Sequence, residues 1–241
     1  MAVHLTEPVI VDGHHNGTEN MRRDLELLNS VLRGEAQIAA RIYGFSPPCL
    51  SIGRLQPWDD VDAERCSRDG IDIVRRPTGG RAVLHEDEVT YAIACRVDDS
   101  RFGGDVAASC RRIHGLIARA LEGLCIQVMQ ASPRVRGEQR RHAAVPDCFA
   151  NAAAHELVDI WGRKIVGSAQ IRRANALLQH GSIPFEPPRT WLYMRRGAGD
   201  GVDPSRSAPG LNSLLQRKAG WSEVASALEG AYNDFETADT G

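Results

Sequence analysis

Apolar residues recur at helical spacing in three parts of the chain. In TENMRRDLELLNSVLR (18–33), Met21, Leu25, Leu28 and Leu32 fall on one face, with Thr18 placed to cap the start and Gly34 to end the helix. Residues 105–122 repeat the pattern through Val106, Cys110, Ile113, Ile117 and Leu121, with Asp105 at the start. A third helix over 221–235 keeps Val224, Leu228, Ala231 and Phe235 in register, and 59–70 reads as a short helix closed by Gly70. Strand patterns occupy 47–53, 71–74, 89–97, 125–129, 155–160, 164–172 and 176–183, the last three joined by the tight turns WGR and RAN. The stretches 132–147 and 196–210 are polar or rich in turn formers and carry no period, so they read as loops. Helices interspersed with hairpin-type strands predict one α/β domain over 1–241. Its sheet is mixed and largely antiparallel, flanked by helices, with a helical segment at 211–235.

Composition narrows the function. The 241 residues are 42% apolar and 25% charged with a net charge of −2, which fits a globular protein and argues against a general nucleic-acid binder. The chain contains no apolar run of membrane-span length, and its first residues lack the pattern of a secretory signal, so a cytoplasmic location is expected. Six cysteines (49, 66, 95, 110, 125, 148) lie at least fifteen positions apart. That spacing suits neither a structural zinc site nor a disulfide framework, and no metal is expected. Of 29 basic residues only Lys164 and Lys218 are lysines, so a lysine retained against this bias is a candidate for chemistry that a guanidinium cannot perform.

The segment RRPTGGRAVLH (75–85) has two adjacent glycines among arginines, with strand-like flanks. A phosphate loop or a dinucleotide fingerprint would lead from a strand into a helix, and here another strand follows. Two readings remain: a loop whose glycines let backbone approach a ligand, or a plain hairpin turn with His85 in the core. Downstream, PDCFANAAAHELVDIWGRKIVGSAQ (146–170) holds Cys148 at the end of an arginine-rich stretch, where neighbouring cations raise the thiolate fraction. Cys95, Cys110 and Cys125 sit inside strand or helix patterns and read as small hydrophobes. Cys148 and Lys164 together form a pair suited to acyl transfer: a thiolate to attack, and an ammonium to polarise a carbonyl or handle protons. Structural roles, a buried thiol and a surface lysine, are the competing readings.

The ordered blocks SIGRLQPWDDVDAERCSRDGIDIV, RRPTGGRAVLH, KIVGSAQ and QHGSI resemble the biotin/lipoate protein ligase catalytic-domain family over most of 47–184. A Cys-Phe shortly before KIVGSAQ is most similar to the LipM-type octanoyltransferases within it. That resemblance implies transfer of an octanoyl group from acyl carrier protein to a lysine of a lipoyl-accepting protein, such as the glycine cleavage H protein. It places the nucleophile at Cys148 and the assisting lysine at Lys164. Arg76, Gly79, Gly80, His85, Gly167, Ser168, His180 and Gly181 would form the substrate pocket. No cofactor is implied, because a thioester is already activated. An ATP-dependent lipoate-protein ligase is the alternative. Arg134, Arg136, Arg140 and Arg141 are candidates for steering the acidic carrier, beside the reading as a solvated charge run. Asp24 fits the family pattern of the first helix, whereas MRRDLELL and NAAAHELV depart from it.

Overall fold

Residue alternation along β6 (Glu88–Arg96) explains how the molecule layers. Val89, Tyr91, Ile93 and Cys95 point to one face, where they meet α3 (Val106–Gly123) and α5 (Trp221–Thr237) through Ile113, Ile117, Leu121, Val224 and Leu228. Ala92 and Ala94 point to the other face, and their small side chains let α1 (Gly17–Arg33) pack closely through Met21, Leu28 and Val31. This computed structural model describes residues 8–131, 155–195 and 208–237.

The main sheet has the order β1 (Ile10–His15), β2 (Ile38–Phe45), β6, β10 (Ala176–Pro184), β9 (Gly167–Arg173). Within this sheet only β1 runs parallel to its neighbour. A second sheet, β4 (Asp72–Arg75), β3 (Cys49–Ile52), β5 (Val83–His85), faces it, and β7 (Met129–Gln130) pairs with β8 (Leu157–Val158). In the second sheet β3 runs parallel to β4. The remaining helices are α2 (Ala63–Arg68) and α4 (Leu211–Leu215). The mixed, largely antiparallel α/β sheet flanked by helices is as the strand patterns predict.

Several boundaries differ from the sequence expectation. Asn16, not Thr18, caps α1: its side chain accepts from the Glu19 amide, and Gly34 ends the helix in a left-handed conformation. The strand expected at 125–129 shrinks to Met129–Gln130 because Cys125 takes φ 65°, and this thiol is exposed rather than core. Of 155–160 only Leu157–Val158 is paired, and β9 starts at Gly167, with Lys164 contributing a single bridge to Val158. Val106 is exposed, so the α3 stripe starts one turn later. The edge strand β1 and the fully buried β2 have no counterpart in the sequence reading. In β2 an arginine sits mid-strand, and its burial is what hides the pattern.

Candidate active site

Strand register lays out the floor of a pocket. Tyr43 pairs with Thr90, Thr90 with Ser182, and Ser182 with Gly167, so one residue from each of four strands stands in a row from β2 to the edge strand β9. Arg76, Val83 and His85 cover this row from the second sheet, and Met21 closes in from α1. The space between opens to solvent and encloses about 330 Å³ of empty volume, the solvent-open part included. Of the pocket residues expected from the sequence, Arg76, His85, Gly167, Ser168, His180 and Gly181 line it.

Gly79 and Gly80 stand beside the pocket and have different duties. Gly80 has φ +86° and its carbonyl presses on Gly53, where a Cβ would come within 1.9 Å of it, while Gly79 faces open space. Arg76 ties this loop down, its guanidinium donating to the carbonyls of Ser51, Gly79 and Arg81. Gly53→Ala is therefore expected to displace the loop and lower stability by about 1–3 kcal/mol. Gly79→Ala should stay within about 0.5 kcal/mol of the parent. Urea-unfolding midpoints of the two variants check the contrast.

Three imidazoles share one pattern of partners. His85 places Nδ1 2.5 Å from Glu88 and Nε2 2.8 Å from the Ser51 hydroxyl. His180 places Nδ1 2.7 Å from Asp24 and Nε2 2.7 Å from the Thr78 hydroxyl. His114, on α3, places Nδ1 2.6 Å from the His155 carbonyl and Nε2 2.8 Å from the Ser168 hydroxyl. Burial lowers the His114 pKa, so its neutral ring donates from Nδ1 and accepts at Nε2. Ser168 also bonds the Tyr91 hydroxyl at 2.9 Å, and the Tyr91 ring reaches it by crossing Gly181, where a Cβ would meet ring carbon at 2.6 Å. The polar groups of the walls are thus engaged with one another, and what they present inward suits an aliphatic chain.

Beneath His180 lies a buried charge cluster of which the sequence reading had named Asp24 and His180 but not Arg41 or Tyr43. Asp24, fully buried, takes the Arg41 guanidinium at 3.0 Å, the Tyr43 hydroxyl at 2.8 Å and His180 Nδ1 at 2.7 Å. Arg41 continues to Asn20 and to Asp12, the latter at 2.9 Å. Met21, Tyr43, Val83, Thr90, Ala169 and Ser182 also line the pocket, without having been picked out. Their only sequence signal is adjacency to recognised motifs or to Asp24.

Lys164 is buried and ion-paired with Glu156 at 2.7 Å. An ammonium so held is a hydrogen-bond donor with no lone pair, fit to hold a carbonyl oxygen. Burial pushes the thiols of Cys49 and Cys95 up to about 12, and those of Cys66 and Cys110 up to about 11, which makes these four poor nucleophiles at neutral pH. Cys148 lies outside the described residues, as do Arg134, Arg136, Arg140 and Arg141. Among the described residues no cluster of His, Cys, Asp or Glu could hold a metal ion, and no helix is long and apolar enough to cross a membrane.

A model of the lipoyl protein ligase A/B catalytic domain matches residues 16–226. The chain belongs to this family. Two curated members resemble it along much of their length, both octanoyltransferases LipM. The one from Kyrpidia tusciae is 40% identical over 76% of this chain and 68% of its own. The one from Symbiobacterium thermophilum is 33% identical over 91% of this chain and 82% of its own. Among solved structures, a lipoate-protein ligase A bound with ATP superposes with a TM-score of 0.76 at 18% identity, covering 97% of this chain and 86% of that one. At that identity the superposition speaks for the fold. This member of the lipoyl protein ligase A/B family is an acyltransferase enzyme.

Proposed function

We propose that the protein moves an octanoyl group from acyl carrier protein to a lysine of a lipoyl-accepting protein, such as the glycine cleavage H protein, through a thioester on Cys148. The observation that carries this reading is the identity of 33–40% to octanoyltransferases over most of the chain, against 16–18% to the lipoate ligases that share the fold. The four thiols of Cys49, Cys66, Cys95 and Cys110, whose pKa desolvation pushes up, support Cys148 by contrast.

In the first transfer the Cys148 thiolate attacks the thioester carbonyl, the bond to the carrier sulfur breaks, and the carrier thiol leaves with a proton. In the second, the acceptor lysine amine attacks the acyl-enzyme, a C–N bond forms, the C–S bond breaks, and Cys148 regains a proton. The Lys164 ammonium, aligned by Glu156, would hold the carbonyl oxygen as charge builds on it in both steps. The wall formed by Arg76, His85, Gly167, Ser168, His180 and Gly181, with the Gly79–Gly80 loop beside it, would hold the eight-carbon chain.

Intact-mass spectrometry after mixing with octanoyl-acyl carrier protein tests this. A single octanoyl adduct is expected without ATP, transferable to a lipoyl domain and absent from Cys148→Ala. Turnover that requires ATP and survives that substitution would instead establish a ligase.

A further inference from the structure

The row Tyr43–Thr90–Ser182–Gly167 gives the pocket a direction. Lys164 precedes Gly167 in the chain and lies at the β9 edge, where it bridges Val158. The glycine loop marks the same end, since a Cβ on Gly80 would lie 3.9 Å from the Ala169 side chain. From β9 to β2 the row crosses three strand spacings, about 14 Å, which is more than an extended eight-carbon chain requires. Something at the β2 end must shorten the usable length.

Two side chains reach that end: Tyr43 of β2, and Met21, whose chain neighbour Asn20 donates to the Gly44 carbonyl of β2 at 2.9 Å. Tyr43 is fixed: fully buried, it bonds Asp24 at 2.8 Å and carries the Arg41 guanidinium over its ring at 3.7 Å. Met21 is the one residue of α1 that lines the pocket. It is 6% exposed, unbranched and without a hydrogen bond, so it fills whatever space the wall leaves. The helix cannot slide to compensate, because Asp24 joins it to Arg41 and His180 of the sheet.

We infer that Met21 sets the length of acyl chain the enzyme accepts, by closing the end of the pocket farthest from Lys164. The inference rests on the octanoyl-transfer reading and adds to it the residue that measures the chain. A shorter side chain at 21 opens room for further methylenes, each worth roughly fourfold in binding when buried.

The test compares kcat/KM for hexanoyl, octanoyl, decanoyl and dodecanoyl thioesters of acyl carrier protein in the parent, Met21→Ala and Met21→Phe, with thermal unfolding of each. In Met21→Ala the decanoyl-to-octanoyl ratio is expected to rise about fifteenfold, two methylenes' worth. In Met21→Phe the preference moves toward hexanoyl. A ratio that stays within about twofold of the parent overturns the inference, as does an equal fall for every chain length. A parent that forms no acyl-enzyme with any of the thioesters overturns the octanoyl-transfer reading itself. That result is separate from one in which the parent reacts and the ratio does not move.

Discussion

Asp24→Ala is expected to lower folding stability by about 3–5 kcal/mol, the cost of removing one partner from a buried ion pair. The carboxylate serves three donors at once: the Arg41 guanidinium, the Tyr43 hydroxyl and His180 Nδ1. Alanine leaves a 2%-exposed arginine with Asp12 as its remaining carboxylate and strands two further donors. A loss of that size is a large share of the 5–15 kcal/mol that holds a typical domain. Asp24→Asn keeps an acceptor oxygen but not the charge, so it should fall between the two. Urea-unfolding midpoints at equal slope give the comparison, and an alanine variant within about 1 kcal/mol of the parent would contradict it. Because the same carboxylate orients His180 and Tyr43, chain binding should weaken in the Asn variant as well.

This cluster also marks where sequence reading stops. Motifs that are continuous along the chain were legible: RRPTGGRAVLH, KIVGSAQ and QHGSI supply the roof, the edge strand and the central floor of one pocket. Helix positions followed from periodicity, since a buried stripe must repeat near every fourth residue. What escaped depends on partners distant in sequence. Arg41 looks like a solvated residue until Asp24, seventeen positions away, neutralises it. His114 sits between two core positions of α3, and its duty appears only when β9 brings Ser168 to it from fifty-four residues away. Gly79 and Gly80 look equivalent in the sequence and differ because Gly80 takes a positive φ and sets its carbonyl against Gly53. The strand expected at 155–160 failed for a related reason: His155 takes φ 67°, a left-handed turn that ends pairing and presents its carbonyl to His114.

Lys164→Met is expected to slow octanoyl transfer by roughly 100- to 1,000-fold, the usual effect of deleting one donor to a developing oxyanion. It should also destabilise the fold, since Glu156 is left buried opposite a thioether. These two effects are separable. Adding Glu156→Gln to Lys164→Met removes the carboxylate that Lys164 balanced, so most of the stability should return while the rate stays low. Recovery of the rate together with the stability would make Lys164 a structural residue and leave the carbonyl without this donor. Lys164→Arg adds a sharper comparison in a chain with 29 basic residues of which two are lysines. A guanidinium preserves the charge next to Glu156 but is planar, larger and unable to yield a proton. Near-parental stability with a rate depressed at least tenfold is the outcome expected if the compact ammonium is what the carbonyl requires. Stopped-flow acylation by octanoyl-acyl carrier protein, measured beside chemical unfolding, reads both quantities on the same four proteins.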